Sequence, residues 1–255
     1  MELALETHGL RKEFGDVCAV DGIDLVVPRG SFYGFLGQNG AGKSTTIKCL
    51  TGLLRPTAGS FRILGLDPTV DAVTIRRQIG VVPEDLGLFE RLTAAETLAF
   101  VGQIHGLGRD VLDARARELL AFLDLARAAG ELVTDYSHGM RKKLALAAAL
   151  LPGPRLLFLD EPFEGIDAVG SRKIRRLLAD FVAGGGTVFL TSHVLEIVEH
   201  LCDQVGVLHR GRLVAQGPLQ VLREAAGRSR TLEELFLELV AAPAGQATTL
   251  DWLSG

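Results

Sequence analysis

Gly37-Gln38-Asn39-Gly40-Ala41-Gly42-Lys43-Ser44 follows the apolar run Phe32-Tyr33-Gly34-Phe35-Leu36 and opens a helical pattern reaching about Leu53, with Pro56 beyond it. The octet matches G-x-x-x-x-G-K-[ST] at every fixed position, in a strand–loop–helix setting. Each residue type has a physical task. Glycines let the backbone wrap a phosphate with several N–H groups turned inward. The helix amino terminus adds positive potential at the same point. Lys43 carries a charge to the β/γ-phosphates, and the Ser44 hydroxyl is suited to join the coordination shell of Mg2+. These residues predict a nucleoside triphosphate site at the end of a strand.

Outward from this loop, short β-branched or apolar runs alternate with helical patterns, as in a mostly parallel sheet flanked by helices. Strands are expected over 31–36, 61–64, 80–82, 156–160, 187–191 and 204–208. The first 30 residues read as extended, with turn signals at Phe14-Gly15-Asp16 and Pro28-Arg29-Gly30, which predicts an antiparallel edge layer. From about 84 to 152 the character changes to three helical patterns. One starts at Thr93, where Glu96 completes a capping box before Leu98, Val101 and Ile104. A second covers about 110–123, with Leu112, Leu119 and Phe122 sharing a side. The third starts near Ser137 and ends before Pro152-Gly153-Pro154. The expected organisation is a helical subdomain, about 84–152, set into an α/β core that ends near Gly217. A tail over 218–255 follows. It holds an amphipathic helix capped by Thr231 and carrying Leu232, Leu235, Phe236, Leu239 and Val240, with a frayed end after Ala241-Ala242-Pro243.

Composition sets the limits. The 255 residues are 47% hydrophobic and 23% charged, the mix of a folded protein rather than a disordered one. A chain this long buries roughly three-quarters of its extended surface, so it needs no staples. The longest fully apolar run, 144–151, falls well short of the roughly 20 residues that span a bilayer. The first residues, Met1-Glu2-Leu3-Ala4-Leu5-Glu6, carry neither a basic nor an apolar leader, so no signal peptide is expected. Cys18, Cys49 and Cys202 are odd in number and far apart, which suits neither disulfides nor a clustered metal site. A net charge of −4 argues against a non-specific nucleic-acid binder. A soluble, reduced, cytosolic protein is the expectation.

Two further stretches carry chemistry. Leu156-Leu157-Phe158-Leu159-Asp160-Glu161-Pro162 reads as a strand buried on both faces and ending in two carboxylates. Ligands of open α/β sheets sit at such carboxyl ends. Asp160 is then expected to hold Mg2+, directly or through water, and Glu161 to polarise an attacking water. Tyr136-Ser137-His138-Gly139-Met140-Arg141-Lys142-Lys143-Leu144 reads as a basic helix with Ser137 as its N-cap.

The chain order of these pieces resembles the ABC transporter ATP-binding cassette: phosphate loop, helical insert, Ser-x-Gly helix start, Asp-Glu strand end, then Thr191-Ser192-His193 after a further strand. The resemblance covers about 215 residues. It implies a P-loop NTPase fold with an antiparallel β subdomain, a RecA-like α/β core and an inserted helical subdomain. It also implies roles. Phe14 resembles the aromatic that stacks on adenine, and Gly37 to Thr45, including Gln38, Asn39, Gly40, Ala41, Gly42, Lys43 and Ser44, the phosphate loop. Glu84 stands at the Q-loop position, where it can contact metal or water. Ser137 and Gly139 belong to the signature motif, Asp160 to the metal position and Glu161 to the catalytic base. Gly165-Ile166-Asp167 resembles the D-loop and His193 the switch histidine. The signature of one subunit is expected over the γ-phosphate held by another, so ATP with Mg2+ would join this cassette to a second one, either a second copy in a homodimer or a cassette of another protein.

Three positions depart from the common pattern. The signature reads Tyr-Ser-His-Gly-Met where Leu-Ser-Gly-Gly-Gln is usual. Glu84 replaces glutamine within Gly80-Val81-Val82-Pro83-Glu84, adding a negative charge. Phe14 replaces tyrosine. With the tail Leu-Glu-Glu-Leu-Phe-Leu-Glu-Leu, these variants resemble an export branch whose cassettes partner a separate six-helix membrane permease. This implies an ATPase held on the inner face of the cell membrane through that permease. The alternative is a soluble ABC-type ATPase acting on nucleic acid or ribosomes. Such proteins typically fuse two cassettes or insert coiled coils or zinc modules, and this sequence has none.

Overall fold

The computed structural model describes residues 2–225 and 232–240. The chain opens with β1 (Leu3–Phe14), β2 (Val17–Ile23) and β3 (Val26–Pro28), the last two antiparallel to the first. Next come β4 (Phe32–Leu36), the phosphate loop and α1 (Lys43–Leu50). Then β5 (Ala58–Ile63) returns to pair antiparallel with β1, closing a four-stranded sheet from the segment expected to be extended. After α2 (Ala72–Gln78) and β6 (Ile79–Val82), the insert supplies α3 (Ala94–Ile104), α4 (Arg109–Phe122) and α5 (His138–Leu150). The α/β core resumes with β7 (Leu156–Asp160), α6 (Ala168–Ala183), β8 (Thr187–Ser192), α7 (Leu195–Leu201) and β9 (Gln204–His209). It ends with β10 (Arg212–Pro218), α8 (Leu219–Ala225) and α9 (Leu232–Val240).

The second sheet has the order β10-β9-β4-β8-β7-β6, and only β10 runs antiparallel to its neighbour. Its central strands are apolar on both sides because both sides are covered. Along β7, Leu157 and Leu159 enter a core shared with α3, α4 and α5. Leu156 and Phe158 enter a second core under β1, β5 and α1. The other central strands divide in the same way: Val188 and Leu190 join the first core, while Phe189 joins the second. Phe189 is the hub of an aromatic layer, stacked on Tyr33 at 5.4 Å and tilted against Phe35 and Phe158. The sheet is thus a rigid floor fixed from both faces.

The α3 capping box is present as the sequence predicts: Glu96 N donates to Thr93 Oγ1 at 3.1 Å, and Thr93 N to Glu96 Oε2 at 2.8 Å. Two boundaries differ from expectation by more than one residue. Helix α1 ends at Leu50 rather than near Leu53, because Gly52 turns the chain at φ 77°. The strand expected over 61–64 spans Ala58–Ile63, since Leu64 adopts φ 54° and begins a turn. In the tail, α9 packs on α7 and β9 with Leu232 buried. The expected Thr231 cap and the frayed end lie outside the described residues.

The β9–β10 turn joins the two sheets beside the phosphate loop. Asp21 N donates to Gly211 O at 2.8 Å, and Gly211 N donates to Ala41 O at 2.9 Å. Next to this contact, the Asp21 carboxylate accepts from Arg11 Nη1 at 2.6 Å and from Arg212 Nε at 2.7 Å.

Candidate active site

Parallel strands end on one edge, so the loops after β4, β6, β7 and β8 converge there by topology alone. Those loops carry Gly37–Thr45, Glu84, Asp160 with Glu161, and His193. The sequence distance between them is large, and the sheet removes it.

The phosphate loop follows from local backbone chemistry. Gly40 and Gly42 take φ 79° and 110°, and Ala41 N donates to Gln38 O at 3.0 Å across the turn. A Cβ on Gly42 would collide with the Ala19 carbonyl oxygen of β2, so only glycine fits. Gly42 is also the N-cap of α1 and supplies no side-chain acceptor, so the first-turn amides of Lys43, Ser44 and Thr45 face the loop uncapped. The buried Lys43 ammonium donates to Gly37 O at 2.7 Å and Gln38 O at 3.4 Å, and lies 3.6 Å from Glu161 Oε1.

Opposite the loop, Asp160 and Glu161 are both buried. Thr191 Oγ1 organises them, donating to Asp160 Oδ1 at 2.6 Å and accepting from Glu161 N at 3.0 Å. Glu161 itself sits in the left-handed region at φ 47°, uncommon for a residue with a Cβ. Its Oε2 lies 3.0 Å from His193 Nδ1 and accepts from His193 N at 3.4 Å. Its Oε1 is buried and makes no hydrogen bond. Ser44 Oγ donates to Glu84 Oε2 at 3.2 Å, joining the fourth loop to the group.

A cavity of about 220 Å³ lies between these groups, lined among others by Asn39, Gly40, Lys43, Ser44, Glu84 and Glu161. That is below the roughly 300–1,000 Å³ of pockets that enclose drug-sized ligands, and it suits a phosphate chain. The residues present fit that occupant: open helix amides, a buried ammonium and a carboxylate oxygen without a hydrogen bond. Ser44 and Glu84, 3.2 Å apart at this cavity, offer oxygen donors that suit Mg2+, while the buried Asp160 does not line it. Among the described residues no cluster of three His, Cys, Asp or Glu could hold a metal by itself, so phosphate oxygens would have to complete the shell.

Phe14, Ser137 and Gly139, like Asp160 and His193, are not among the residues that line this cavity. Phe14 lies at the β1–β2 turn, 47% exposed, with Lys12 Nζ 4.9 Å from its ring centroid. Ser137 and Gly139 open α5, whose exposed N-cap Ser137 accepts from Met140 N at 3.2 Å. That helix start abuts the loop after Glu161. A Cβ on Gly165, which has φ 72°, would lie 2.5 Å from His138 Cδ2. Asp167 in this loop caps α6 through Gly170 N at 2.7 Å, a bond that lowers its pKa. Two residues that bond Glu161 are not singled out by the sequence. Thr191 was noted only as a neighbour of His193. Lys142 was noted only as part of a basic helix, yet it is buried and donates to Glu161 O at 2.6 Å. Burial lowers the Lys142 pKa, against the pull of Glu164 and Glu161.

Comparison with known proteins agrees with this geometry. Residues 20–164 match the family model described as ABC transporter. The daunorubicin resistance ATP-binding protein DrrA3 of Streptomyces coeruleorubidus is 39% identical over 245 residues, covering 96% of this chain and 76% of that protein. The bacitracin transport ATP-binding protein BcrA of Bacillus licheniformis is 38% identical over 226 residues, covering 88% and 72%. A solved ATP-binding subunit of an ABC transporter superposes with a TM-score of 0.87 at 34% identity, covering 92% of this chain and 99% of that one. A dimeric ATP-binding cassette in a post-hydrolysis state with ADP and Pi gives 0.78 at 26% identity, covering 84% and 98%. The chain belongs to the ABC transporter family, as an ATP-binding, ATP-hydrolysing transporter subunit.

Proposed function

We propose that this chain hydrolyses ATP between two of its own copies and so drives an exporter whose membrane-spanning permease is a separate subunit. The observation that carries the chemistry is Glu161. Its buried carboxylate lies between Lys43 and His193, one of its oxygens has no hydrogen bond, and the residue lines the phosphate cavity. In that setting Glu161 accepts the proton of the attacking water, and His193 orients the carboxylate through Oε2. Lys43 and the uncapped amides of α1 neutralise phosphate charge. Ser44, Asp160 and Glu84 hold Mg2+, which when bound supplies further neutralisation of the phosphates. Phe14 stacks on the base outside the cavity, where its exposed ring is accessible.

Ser137 and Gly139 act on the phosphate of the other copy. Their absence from the lining of this chain's own cavity, together with the dimeric cassette among the similar structures, supports that reading. The relatives' names support export, since they concern drug resistance and bacitracin transport. They do not favour the nucleic-acid or ribosome alternative. Among the described residues no helix is long and apolar enough to cross a membrane, which fits attachment through a permease at the inner face. We assign 1–217 to the cassette, with about 84–152 as its insert, and 218–255 to a helical tail.

The test is Glu161→Gln. ATP binding should persist while steady-state hydrolysis falls by about 10²–10⁴-fold. Hydrolysis at the unmodified rate by the purified variant would remove Glu161 from the role of base.

A further inference from the structure

Glu161 is held at both ends of its backbone. Its N–H is bound by Thr191 of β8 at 3.0 Å, and its carbonyl by Lys142 of α5 at 2.6 Å. A non-glycine residue at φ 47° persists only where its surroundings over-determine it, and these two bonds do so. The Lys142 contact is costly to build. The side chain is 2% exposed on a helix whose neighbouring positions Leu144, Ala145 and Leu146 are core. A buried ammonium is tolerated only with partners, and here they are the Glu161 carbonyl and the Glu164 carboxylate, 3.7 Å away. Methionine or leucine would fill the same space without that cost, so the ammonium must be doing something that packing does not need.

Its position on α5 gives the reason. The same helix begins at Ser137 and Gly139, and a Cβ on Gly139 would lie 3.1 Å from the carbonyl of Gly165 in the loop that Glu161 opens. Helix start and acidic loop therefore touch twice, once at Gly139 and once through Lys142. A shift of α5 would therefore act on the backbone of Glu161 through these two contacts.

We propose that Lys142 is a positioning residue for ATP hydrolysis: it anchors the left-handed backbone of Glu161 to α5, so that the base of one site is set by the helix whose start serves the other. This rests on the roles given above to Glu161 and Ser137. Lys142 touches no phosphate and acts only through Glu161.

The experiment compares ATP hydrolysis by the full chain with Lys142→Met, Lys142→Arg, and Lys142→Met combined with Glu161→Gln. Lys142→Met should lower kcat by roughly 10- to 100-fold while the KM for ATP changes less than about twofold, because a misplaced base slows chemistry without weakening binding. Lys142→Arg, which keeps donors and charge, should recover most of kcat. In the Glu161→Gln background, Lys142→Met should cost nothing further, since no base remains to be positioned. The proposal is overturned by an unchanged kcat, by a loss carried by KM, by failure of arginine to restore more than methionine does, or by an equal further loss in the Glu161→Gln background. Should Lys142→Met not fold, Lys142→Gln, a shorter donor, is read by the same outcomes. If Glu161→Gln alone hydrolyses normally, the base assignment fails. If it is slow while Lys142→Met is normal, only the present inference fails.

Discussion

Gly42 shows how closely single residues set this site. Its φ of 110° and the Ala19 carbonyl behind it exclude any side chain. Gly42→Ala must therefore move either the loop or β2. We expect ATP binding, measured by equilibrium titration, to weaken at least about tenfold, with a lower melting temperature as well. Wild-type affinity in a folded Gly42→Ala protein would mean that the loop tolerates rearrangement. The glycine and lysine requirements were legible in the sequence because a fixed spacing encodes them within eight residues. Asp160 and Glu161 were legible because an apolar run that ends in acids has few other uses beside a phosphate loop. Thr191 and Lys142 were not. Each acts through a partner about 20 to 30 positions away, with Thr191 reaching Asp160 and Glu161 across adjacent strands and Lys142 reaching from a helix. No local pattern marks a lysine whose burial is decided by tertiary packing.

At the scale of elements, stretches with a strong local signal were readable and those without one were not. The five-residue strand β7 and the capped helix α3 carry strong local signals, and both appear where expected. Helices α2 and α7 have only seven residues each, too few to establish a period, and β10 is a half-exposed edge strand with little apolar alternation. Their places come from contacts instead. For β10 one such contact is testable. Arg212 on β10 and Arg11 on β1 both bond Asp21 on β2 and so tie the two sheets together. The bond from Arg212, ahead of the two cationic charges, lowers the Asp21 pKa below its ordinary 3.8. A lowered carboxylate pKa adds stability above the unfolded value, and that stability is lost as pH falls through the folded value. Asp21→Asn should therefore destabilise the protein at neutral pH. The gap between the two denaturation midpoints should close as pH falls through 3.8 and below. A gap that stays constant with pH would show that the Asp21 charge contributes nothing to folding.

On the scale of the whole molecule, we propose that one chain brings together only half of what hydrolysis requires. Lys43, Ser44, Glu84, Glu161 and His193 converge on one edge of the sheet, while Ser137 and Gly139 open a helix outside that cavity. In the proposed arrangement the folded chain presents two unlike half-sites, and pairing two copies head to tail would complete both. Losing the γ-phosphate would then remove the shared ligand, which on this proposal converts hydrolysis into separation of the copies and movement of a permease. The most direct measurement is the sedimentation mass of the Glu161→Gln chain with Mg-ATP, with and without the added substitution Ser137→Glu. The account predicts twice the 27.3 kDa of one chain for Glu161→Gln and a single-chain mass once Ser137→Glu puts a carboxylate against the partner's phosphate. A Glu161→Gln chain that binds ATP yet stays monomeric, or a dimer indifferent to Ser137→Glu, would contradict it.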